Sequence, residues 1–461
     1  MMYNIAYNNG NRKEIYMVKR KRMSPYSMIL LSFFIIIIIG GTILSLPIST
    51  VDGRGTRWID GVFTATSAVC VTGLVVNDVS KVYNVFGQTI IMIWIQLGGL
   101  GIMTFSSVIV LIVARKISYQ TKKVVQEALN YTTLFDISKY IKKAVITVFL
   151  IEAIGALFLF FEFIKIYSFK KAVFYSVFHS VSAFCNAGFA LFTLNLEDFK
   201  KSGIINFTIP LLIFLGGIGF ASLLNIFDSV KSKKNKLSLN TKMALIISTA
   251  LILLGMGFTL ILERNNLGTI AHLTLKDKLW ASLFQSVSTR TAGFNTIPMG
   301  ALTAPTLFLY IILMFIGASP GSTGGGIKTT TFGVVILGVW ATLTSREDIE
   351  IGKKRIGWDI FNRAVALMLI ALIYVTFIVL MLNIIEKDKD FLSLAFETVS
   401  AFATVGLSVG ITSTLTDISK WLIILTMFIG RVGPLTVAMV LSSSAIKKGI
   451  YRYPTENILV G

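Results

Sequence analysis

Long apolar stretches alternate with short charged ones along the 461-residue chain. Eight apolar stretches are long enough to cross the roughly 30 Å hydrocarbon core of a bilayer as helices. They lie at about 27–46, 88–114, 141–164, 204–228, 243–262, 306–340, 360–385 and 418–445. Between alternate pairs lie weaker helical stretches that are too short to span, near 58–70, 171–185, 278–290 and 391–403. The pattern predicts an all-α polytopic membrane protein.

The first apolar stretch also has to be tested as a cleaved signal peptide. It follows the basic segment KRKR (19–22) and ends at Pro47. A signal peptide has a shorter apolar part that ends in a small-residue cleavage site. The length of this stretch therefore favours a retained membrane helix.

The four short stretches resemble one another. Each begins with Phe, carries Ser four residues later and ends in Gly followed by Leu or Phe; the third is one residue shorter between its Ser and its Gly. They read FTATSAVCVTGL (63–74), FHSVSAFCNAGF (178–189), FQSVSTRTAGF (284–294) and FETVSAFATVGL (396–407). Four copies in matching positions predict four repeats, each consisting of a span, a re-entrant pore helix, a loop and a second span.

The predicted organisation has eight transmembrane spans and four re-entrant pore helices. Its boundaries are a basic N-terminus at 1–23, repeats at 24–115, 141–230, 242–341 and 360–446, and a C-terminal tail at 447–461. Irregular backbone at membrane depth is tolerated only where protein or a wet cavity satisfies its polar groups. Four loops that meet on one axis can turn carbonyl oxygens toward a dehydrated cation. We therefore expect a central pore with fourfold pseudosymmetry.

Charge assigns the sides of the membrane. The chain is 54% hydrophobic and 14% charged, with a net charge of +20. More than half of its 43 Lys and Arg residues fall in the two terminal segments and the three loops at 115–143, 231–242 and 341–363. This positive-inside bias predicts cytoplasmic termini. Because the charge is spread over short loops, we expect no nucleic-acid partner.

A glycine-rich segment, GASPGSTGGGIK (317–328), interrupts the sixth apolar stretch. A phosphate-binding loop needs Gly-Lys-Ser/Thr after its spacer, but Ile327 separates Gly326 from Lys328 and no strand pattern precedes the segment. The nucleotide interpretation is therefore disfavoured. No nucleophile–base–orienter set points to an enzyme either.

Four charged residues fall within the apolar regions, where charges are costly and usually functional. Arg290 is expected to pair with a carboxylate, and Glu152 to partner a buried polar group or pack in its protonated form. For Lys328 two interpretations stay open, a role in the loop or snorkelling toward the interface. Arg431 is the fourth. Cys70 and Cys185 occupy equivalent repeat positions and are expected to be packing residues without a disulfide; His179 and His272 are too isolated for a metal site.

The sequence resembles the pore-forming subunits of the Ktr/Trk/HKT superfamily of potassium transporters, most closely the Ktr type. The resemblance covers about 24–461 and is carried by the four repeated segments, QLGGLGIMTF (96–105), FLGGIGFASL (214–223), the loop at 317–327 and FIGRVGPLT (428–436). It implies a selectivity filter that binds K+ at Val71, Thr72, Gly73, Asn186, Ala187, Gly188, Thr291, Ala292, Gly293, Thr404, Val405 and Gly406. Gly73 stands where sodium-favouring plant members often have Ser, which implies potassium selectivity.

The resemblance also implies an intramembrane gate beneath the filter. The gate residues are Gly317, Ala318, Ser319, Pro320, Gly321, Ser322, Thr323, Gly324, Gly325, Gly326, Lys328 and Arg431. The glycine segments of the other second spans are expected to be ordinary helix-packing contacts.

Function and partners follow from the same resemblance. It implies potassium uptake across the cell membrane, activation by Na+, a homodimer in the lipid bilayer, and a separate cytosolic nucleotide-binding regulatory ring of the RCK/KTN type. A secondary cation transporter with alternating access and a less selective Na+/K+ channel remain as alternatives. Repeats that share one orientation favour the channel-like path, since alternating-access folds typically use inverted repeats.

Overall fold

The computed structural model describes residues 25–101, 137–231, 236–351 and 354–433. The predicted N-terminus at 1–23 and tail at 447–461 lie outside the described residues. So do the ends of the first and fourth repeats, at 102–115 and 434–446. The predicted positions of the two termini therefore stay predictions.

The described chain is mostly helical. In chain order its α-helices are α1 (Pro25–Ser45), α2 (Trp58–Val69), α3 (Val79–Val82), α4 (Val85–Gly99), α5 (Ile137–Phe163), α6 (Phe169–Phe184), α7 (Gly203–Gly217), α8 (Phe220–Lys231), α9 (Leu239–Glu263), α10 (Leu275–Ser288), α11 (Ala304–Phe315), α12 (Thr329–Leu343), α13 (Trp358–Ile385), α14 (Phe391–Phe402) and α15 (Asp417–Val432).

Three of the described helices, α5, α9 and α13, are long and apolar enough to cross a membrane, and a fourth span results if α7 and α8 count together. Large apolar side chains on them remain exposed, among them Phe149 and Ile373. Exposed apolar side chains of this kind suit contact with lipid rather than water. The remaining apolar helices are shorter.

The short helices α2, α6, α10 and α14 form the centre of the structure. The phenylalanines that begin the four repeated segments are completely buried: Phe63, Phe178, Phe284 and Phe396. Each short helix packs against the long helix before it, α2 on α1, α6 on α5, α10 on α9 and α14 on α13. We call each long helix, with the short helix, loop and apolar helix that follow it, a unit. Burial of one repeated Phe per short helix gives the four units the same internal packing.

The units also contact one another in cyclic order. Helix α4 packs against α6, α7 against α10, α11 against α14, and α15 against α2. In each unit the apolar helix that follows the loop thus touches the short helix of the next unit. The last unit touches the first in the same way. The described units close into a ring.

The seam between the first and last units contains two ion pairs. Lys420 Nζ lies 2.7 Å from Asp60 Oδ1, and both side chains are buried. One turn away, Arg57 pairs with Asp417 at the surface. The rings of Trp58 and Trp421 pack beside them with centroids 6.0 Å apart. Charge pairs therefore join the two units that lie farthest apart in the chain.

One element was not predicted. Strands β1 (Ile349–Ile351) and β2 (Lys354–Ile356) form an antiparallel hairpin between α12 and α13. Ile349 and Ile356 face each other in its register and are both buried. The prediction of an all-α fold is wrong in this detail, because a short hairpin surrounded by charged residues gives only a weak periodic signal.

The buried pair at the seam generates a prediction. Lys420→Met leaves the Asp60 carboxylate buried without a partner, so the variant should lose about 3–5 kcal/mol of stability. The measurement is the midpoint of thermal unfolding in mild detergent. Arg57→Ala, which breaks the exposed pair of the same seam, is the matched control and should change the midpoint little. Equal midpoints for the two variants would contradict a special role for the buried pair.

Candidate functional site

The four loops that follow the short helices share one backbone conformation. Each contains a residue with positive φ two positions before its glycine, and the glycine itself also has positive φ. The non-glycine residues with positive φ are Val71 (56°), Asn186 (60°), Thr291 (65°) and Thr404 (51°). The glycines are Gly73 (98°), Gly188 (68°), Gly293 (75°) and Gly406 (92°). Positive φ is uncommon for non-glycine residues. Its recurrence shows that the four sequence repeats are also four copies of one local structure.

One hydrogen bond shapes every loop. The residue before each glycine donates its N–H to the carbonyl of the repeated serine. The pairs are Thr72 to Ser67 (2.7 Å), Ala187 to Ser182 (2.7 Å), Ala292 to Ser288 (3.0 Å) and Val405 to Ser400 (2.8 Å). The third copy keeps this bond although it is one residue shorter. The shortening falls at the helix end, since α10 ends at the repeated serine whereas α2, α6 and α14 continue two residues beyond theirs.

The glycines bring the loops together. A Cβ on Gly73 would lie 2.5 Å from Ala187 O, one on Gly188 2.8 Å from Ala292 O, and one on Gly293 2.6 Å from Val405 O; one on Gly406 would overlap Thr72 O. Each glycine thus packs on the carbonyl before the next glycine, and the fourth packs on the first. All twelve predicted filter residues are buried in this ring. The C-terminal ends of the four short helices, which carry partial negative charge, lead directly into it.

The predicted gate segment lies between α11 and α12 and folds back on itself. Gly317 N donates to Ile327 O (2.9 Å), and Ala318 N donates to Gly325 O (3.3 Å). The hydroxyls of Ser319 and Thr329 are 2.8 Å apart. These bonds satisfy backbone and hydroxyl groups that have no helical partner, as a non-helical segment at membrane depth requires.

The same segment lies against the ring of loops. A Cβ on Gly324 would overlap Thr291 Oγ1, and one on Gly325 would overlap Thr404 Oγ1. Only glycine allows the backbone to approach the third and fourth loops this closely. The structure therefore brings the predicted gate and the predicted filter into direct contact.

The gate segment is also attached to the second unit, where α7 gives way to α8. Ser319 N donates to Gly217 O (2.9 Å) and Thr323 N to Gly216 O (3.3 Å), while Phe220 N donates to Gly321 O (2.9 Å). Helix α7 has its own unpaired carbonyls at this end. The backbone N–H and carbonyl groups of the two irregular segments are thus hydrogen-bond partners of one another.

Three cations hold the gate segment through its carbonyls. Arg290 Nη2 donates to Gly317 O (2.8 Å), and Lys328 Nζ donates to Gly324 O (2.7 Å) and Gly325 O (3.3 Å). Arg431 donates to Thr323 O and to Gly98 O of the first unit. Within the described residues, none of the three forms an ion pair. The prediction that Arg290 pairs with a carboxylate is therefore wrong. Of the two interpretations of Lys328, the structure supports a role in the loop rather than snorkelling toward the interface.

The glycine segments of the other units have two roles, of which one was predicted. Gly98, Gly216 and Gly430 pack on the last carbonyls of the short helices, with no room for a Cβ. This is the expected close packing. However, Gly101, Gly219 and Gly433 have positive φ, and α4, α7 and α15 end beside them. Helices α7 and α8 are bent by 102° at this point, so the apolar stretch at 204–228 is a bent pair of helices and not one straight helix.

Sequence reasoning missed several buried carboxylates, and two of them bind the starts of later helices. Glu263 Oε1 accepts from Thr303 N (2.9 Å) and Thr303 Oγ1 (2.7 Å), at the start of α11. Glu386 Oε1 accepts from Thr416 N and from Thr416 Oγ1, each at 2.7 Å, at the start of α15. Burial raises the pKa of Glu386, but hydrogen bonds from Lys389 and Thr416 lower it to about 2. A donor three residues after each Glu, as in ERNN and EKDK, is the signal that could have revealed them.

Cys70, Cys185 and His179, which were also singled out in the sequence, lie beside the first and second loops. Cys70 and Cys185 are buried free thiols at the C-terminal caps of α2 and α6. His179 Nε2 accepts from Leu191 N (3.2 Å), and its Nδ1 lies 2.7 Å from Tyr175 O. The histidine therefore links the chain after the second loop to α6 through hydrogen bonds.

A ring of four glycine loops among apolar helices is typical of membrane proteins that pass ions. Comparison with known proteins agrees: residues 2–448 match the model of the TrkH family, described as cation transport protein. The chain belongs to this family.

Several relatives are similar over almost their whole length. The chain is 42% identical to Ktr system potassium uptake protein B of Bacillus subtilis, over 96% of this chain and 98% of the relative. It is 36% identical to the protein of the same name from Vibrio alginolyticus, over 94% of each chain. It is 37% identical to the potassium/sodium uptake protein NtpJ of Enterococcus hirae, over 96% and 98%.

The fold also matches a solved structure. The crystal structure of the potassium transporter TrkH from Vibrio parahaemolyticus superposes with a TM-score of 0.71 and covers 92% of this chain and 86% of that one. The two sequences are only 18% identical. This match supports the fold and no further property.

The contact between Gly216 and the short helix generates a prediction. Gly216→Ala places a methyl group on Phe184 O and should destabilise the protein by about 1–3 kcal/mol through overpacking. Gly203→Ala is the matched control, because nothing lies within 4 Å of its added Cβ. Thermal unfolding in detergent compares the two variants; a stability loss in the control alone would refute the packing assignment.

Proposed function

We propose that the chain is the potassium-conducting membrane subunit of a Ktr-type uptake system. The observation that carries the proposal is the closed ring of four loops, in which each glycine packs on the carbonyl before the next. A ring of backbone carbonyls can replace the hydration shell of K+. The three relatives described above are named as potassium or potassium/sodium uptake proteins.

The twelve predicted filter residues act through their backbone in this proposal. Val71, Asn186, Thr291 and Thr404 turn the chain out of the short helices, and their neighbours present carbonyls to the ion path. The C-terminal helix ends add partial negative charge at the same depth. Eight spans around one axis of fourfold pseudosymmetry, with both termini in the cytoplasm, complete the proposed architecture.

The gate of the proposed pore is the segment 317–327 together with Lys328 and Arg431. Its contacts with Thr291 and Thr404 are consistent with a position directly beneath the filter. The positive charges of Lys328 and Arg431 oppose the passage of K+ and at the same time hold the segment closed through its carbonyls. Opening then requires these bonds to be exchanged for water.

The proposal includes partners and an activating ion. Relatives named as proteins of a Ktr system support a complex with other subunits. We include a homodimer, a cytosolic nucleotide-binding ring, and Na+ as an activator. The basic cytoplasmic loops offer the ring a surface for acidic groups.

A less selective K+/Na+ channel is the second candidate. It is favoured by one observation, the similarity to a relative whose name gives both potassium and sodium. Gly73 at the first filter position favours potassium selectivity instead, since its lack of a Cβ preserves the close approach to Ala187 O.

The first functional prediction concerns selectivity. Gly73→Ser adds a Cβ 2.5 Å from Ala187 O at a φ of 98°, so the ring must shift, and the K+/Na+ flux ratio should fall by about tenfold, equivalent to about 1.4 kcal/mol. Cation flux into liposomes that contain the purified chain measures the ratio. Gly53→Ser is the control, since Gly53 also has positive φ but no neighbour within 4 Å. An unchanged ratio in the Gly73 variant removes the basis for the filter assignment.

The second functional prediction concerns the gate. Arg431→Ala removes a cation together with its bond to Thr323 O of the gate segment and its bond to Gly98 O of α4, and deletion of residues 322–324 shortens the segment. Both changes should raise K+ flux, because the barrier lies below an intact filter. Arg363→Ala, which removes an exposed arginine of α13, should leave flux unchanged. If both gate variants assemble normally but transport no K+, the segment is part of a binding site and alternating access is the better mechanism.

A further inference from the structure

The second unit contains a carboxyl group that the proposed mechanism does not use. Glu152 lies in the long helix α5 and is only 4% exposed. Among the described residues it forms no ion pair. A buried carboxyl without a cation is costly unless hydrogen bonds satisfy it. Its partners therefore indicate what it does.

The carboxyl group of Glu152 contacts two polar side chains from two other elements. Gln96 Nε2 of α4 donates to Oε2 at 3.2 Å. The Cys185 thiol, at the C-terminal cap of α6, lies 3.8 Å from Oε1. The same sulfur lies 3.7 Å from Gln96 Oε1. These three side chains form one cluster, which we call the Glu152 cluster.

The Glu152 cluster lies directly behind the second loop. Cys185 precedes Asn186, whose positive φ begins that loop. A Cβ on Gly99 would overlap the Cys185 sulfur, so α4 is in close contact with this cap. On the same helix, Gly98 O accepts from Arg431, which also binds the gate segment. The cluster therefore joins the second loop to the part of α4 that reaches the gate.

Comparison with the third unit separates this cluster from ordinary packing. Ser180 Oγ donates to Glu152 O (2.6 Å), and Ser286 Oγ of the third unit donates to Ile252 O (2.7 Å). Three residues after each of these positions, Gly155 and Gly255 pack on the same serines. Ile252 is thus the counterpart of Glu152, and the contact between the long and short helices does not require a carboxyl group.

We propose that Glu152 is a positioning residue that fixes the second loop relative to α4 and thereby contributes to discrimination between K+ and Na+. The proposal rests on the proposed function of the loops as a filter. Its physical basis is that the carboxyl oxygens are satisfied only while Gln96 and Cys185 keep their places. A displaced second loop leaves buried polar groups unpaired.

The test compares two substitutions at one site. Glu152→Ile reproduces the third unit, so the chain should fold with a thermal midpoint close to that of the unmodified protein, while its K+/Na+ flux ratio in liposomes should fall about fivefold, roughly 1 kcal/mol of discrimination. Glu152→Gln replaces one carboxyl oxygen with an amide nitrogen, so a polar group still faces each partner, and the ratio should stay within about twofold. Rescue by the amide distinguishes positioning from the filling of space.

Two further variants complete the design. Ile252→Leu is the control in the third unit and should keep the ratio. Gly188→Ser, which alters the second loop itself, shows whether that loop discriminates between ions. If Gly188→Ser changes the ratio and Glu152→Ile does not, the inference about Glu152 is wrong; if neither changes it, the filter assignment fails. Should Glu152→Ile not assemble, Gln96→Met removes one partner of the carboxyl instead, and an unchanged ratio in that variant overturns the inference.

Discussion

The structure depends on one constraint, that every backbone polar group at membrane depth must find a partner inside the protein. In the part of the chain that the structure describes, the four loops of the ring and the gate segment depart from helical geometry. The loops meet this constraint through the repeated serine carbonyls, and the gate segment through bonds to itself, to α7 and to three cations. Because bonds of the gate segment reach α7 and Arg431 in other units, this segment depends on the assembled ring. The site and the assembly of the units are therefore one feature.

Glycine has two distinct uses around this site. At the ring, Gly73, Gly188, Gly293 and Gly406 combine positive φ with contact to a neighbouring carbonyl, so both the angle and the space exclude a side chain. At Gly98, Gly216 and Gly430 the backbone stays helical, and only the space excludes one. The first use shapes the loops and the second supports them from behind. Each glycine of the second set packs on the end of the short helix that leads into a loop of the first set, which explains why the repeats combine a loop motif with a glycine motif one span later.

Much of the fold could be predicted because its repeats place the same side chains in the same surroundings. The Phe, Ser and Gly of each short segment indicated the four helices and loops, and Arg431 and the gate segment were indicated by their cost at membrane depth. The break between α7 and α8 could not be predicted, since the apolar pattern continues through Gly219 and glycines also mark close helix packing. The partners of Arg290 and Glu152 could not be predicted either. They depend on which carbonyls and side chains the folded ring brings near, and residues far apart in the chain supply them.

The ion pairs at the seam have a consequence for how the protein is made. Asp60 belongs to the first unit, and its partner Lys420 belongs to the last. During synthesis from the N-terminus, the Asp60 carboxylate stays without Lys420 until nearly the whole chain has been inserted. Until then it lacks its native partner, in a setting where an isolated charge is unfavourable. An incomplete chain thus keeps an unpaired carboxylate at its open edge, and only the arrival of the last unit removes it.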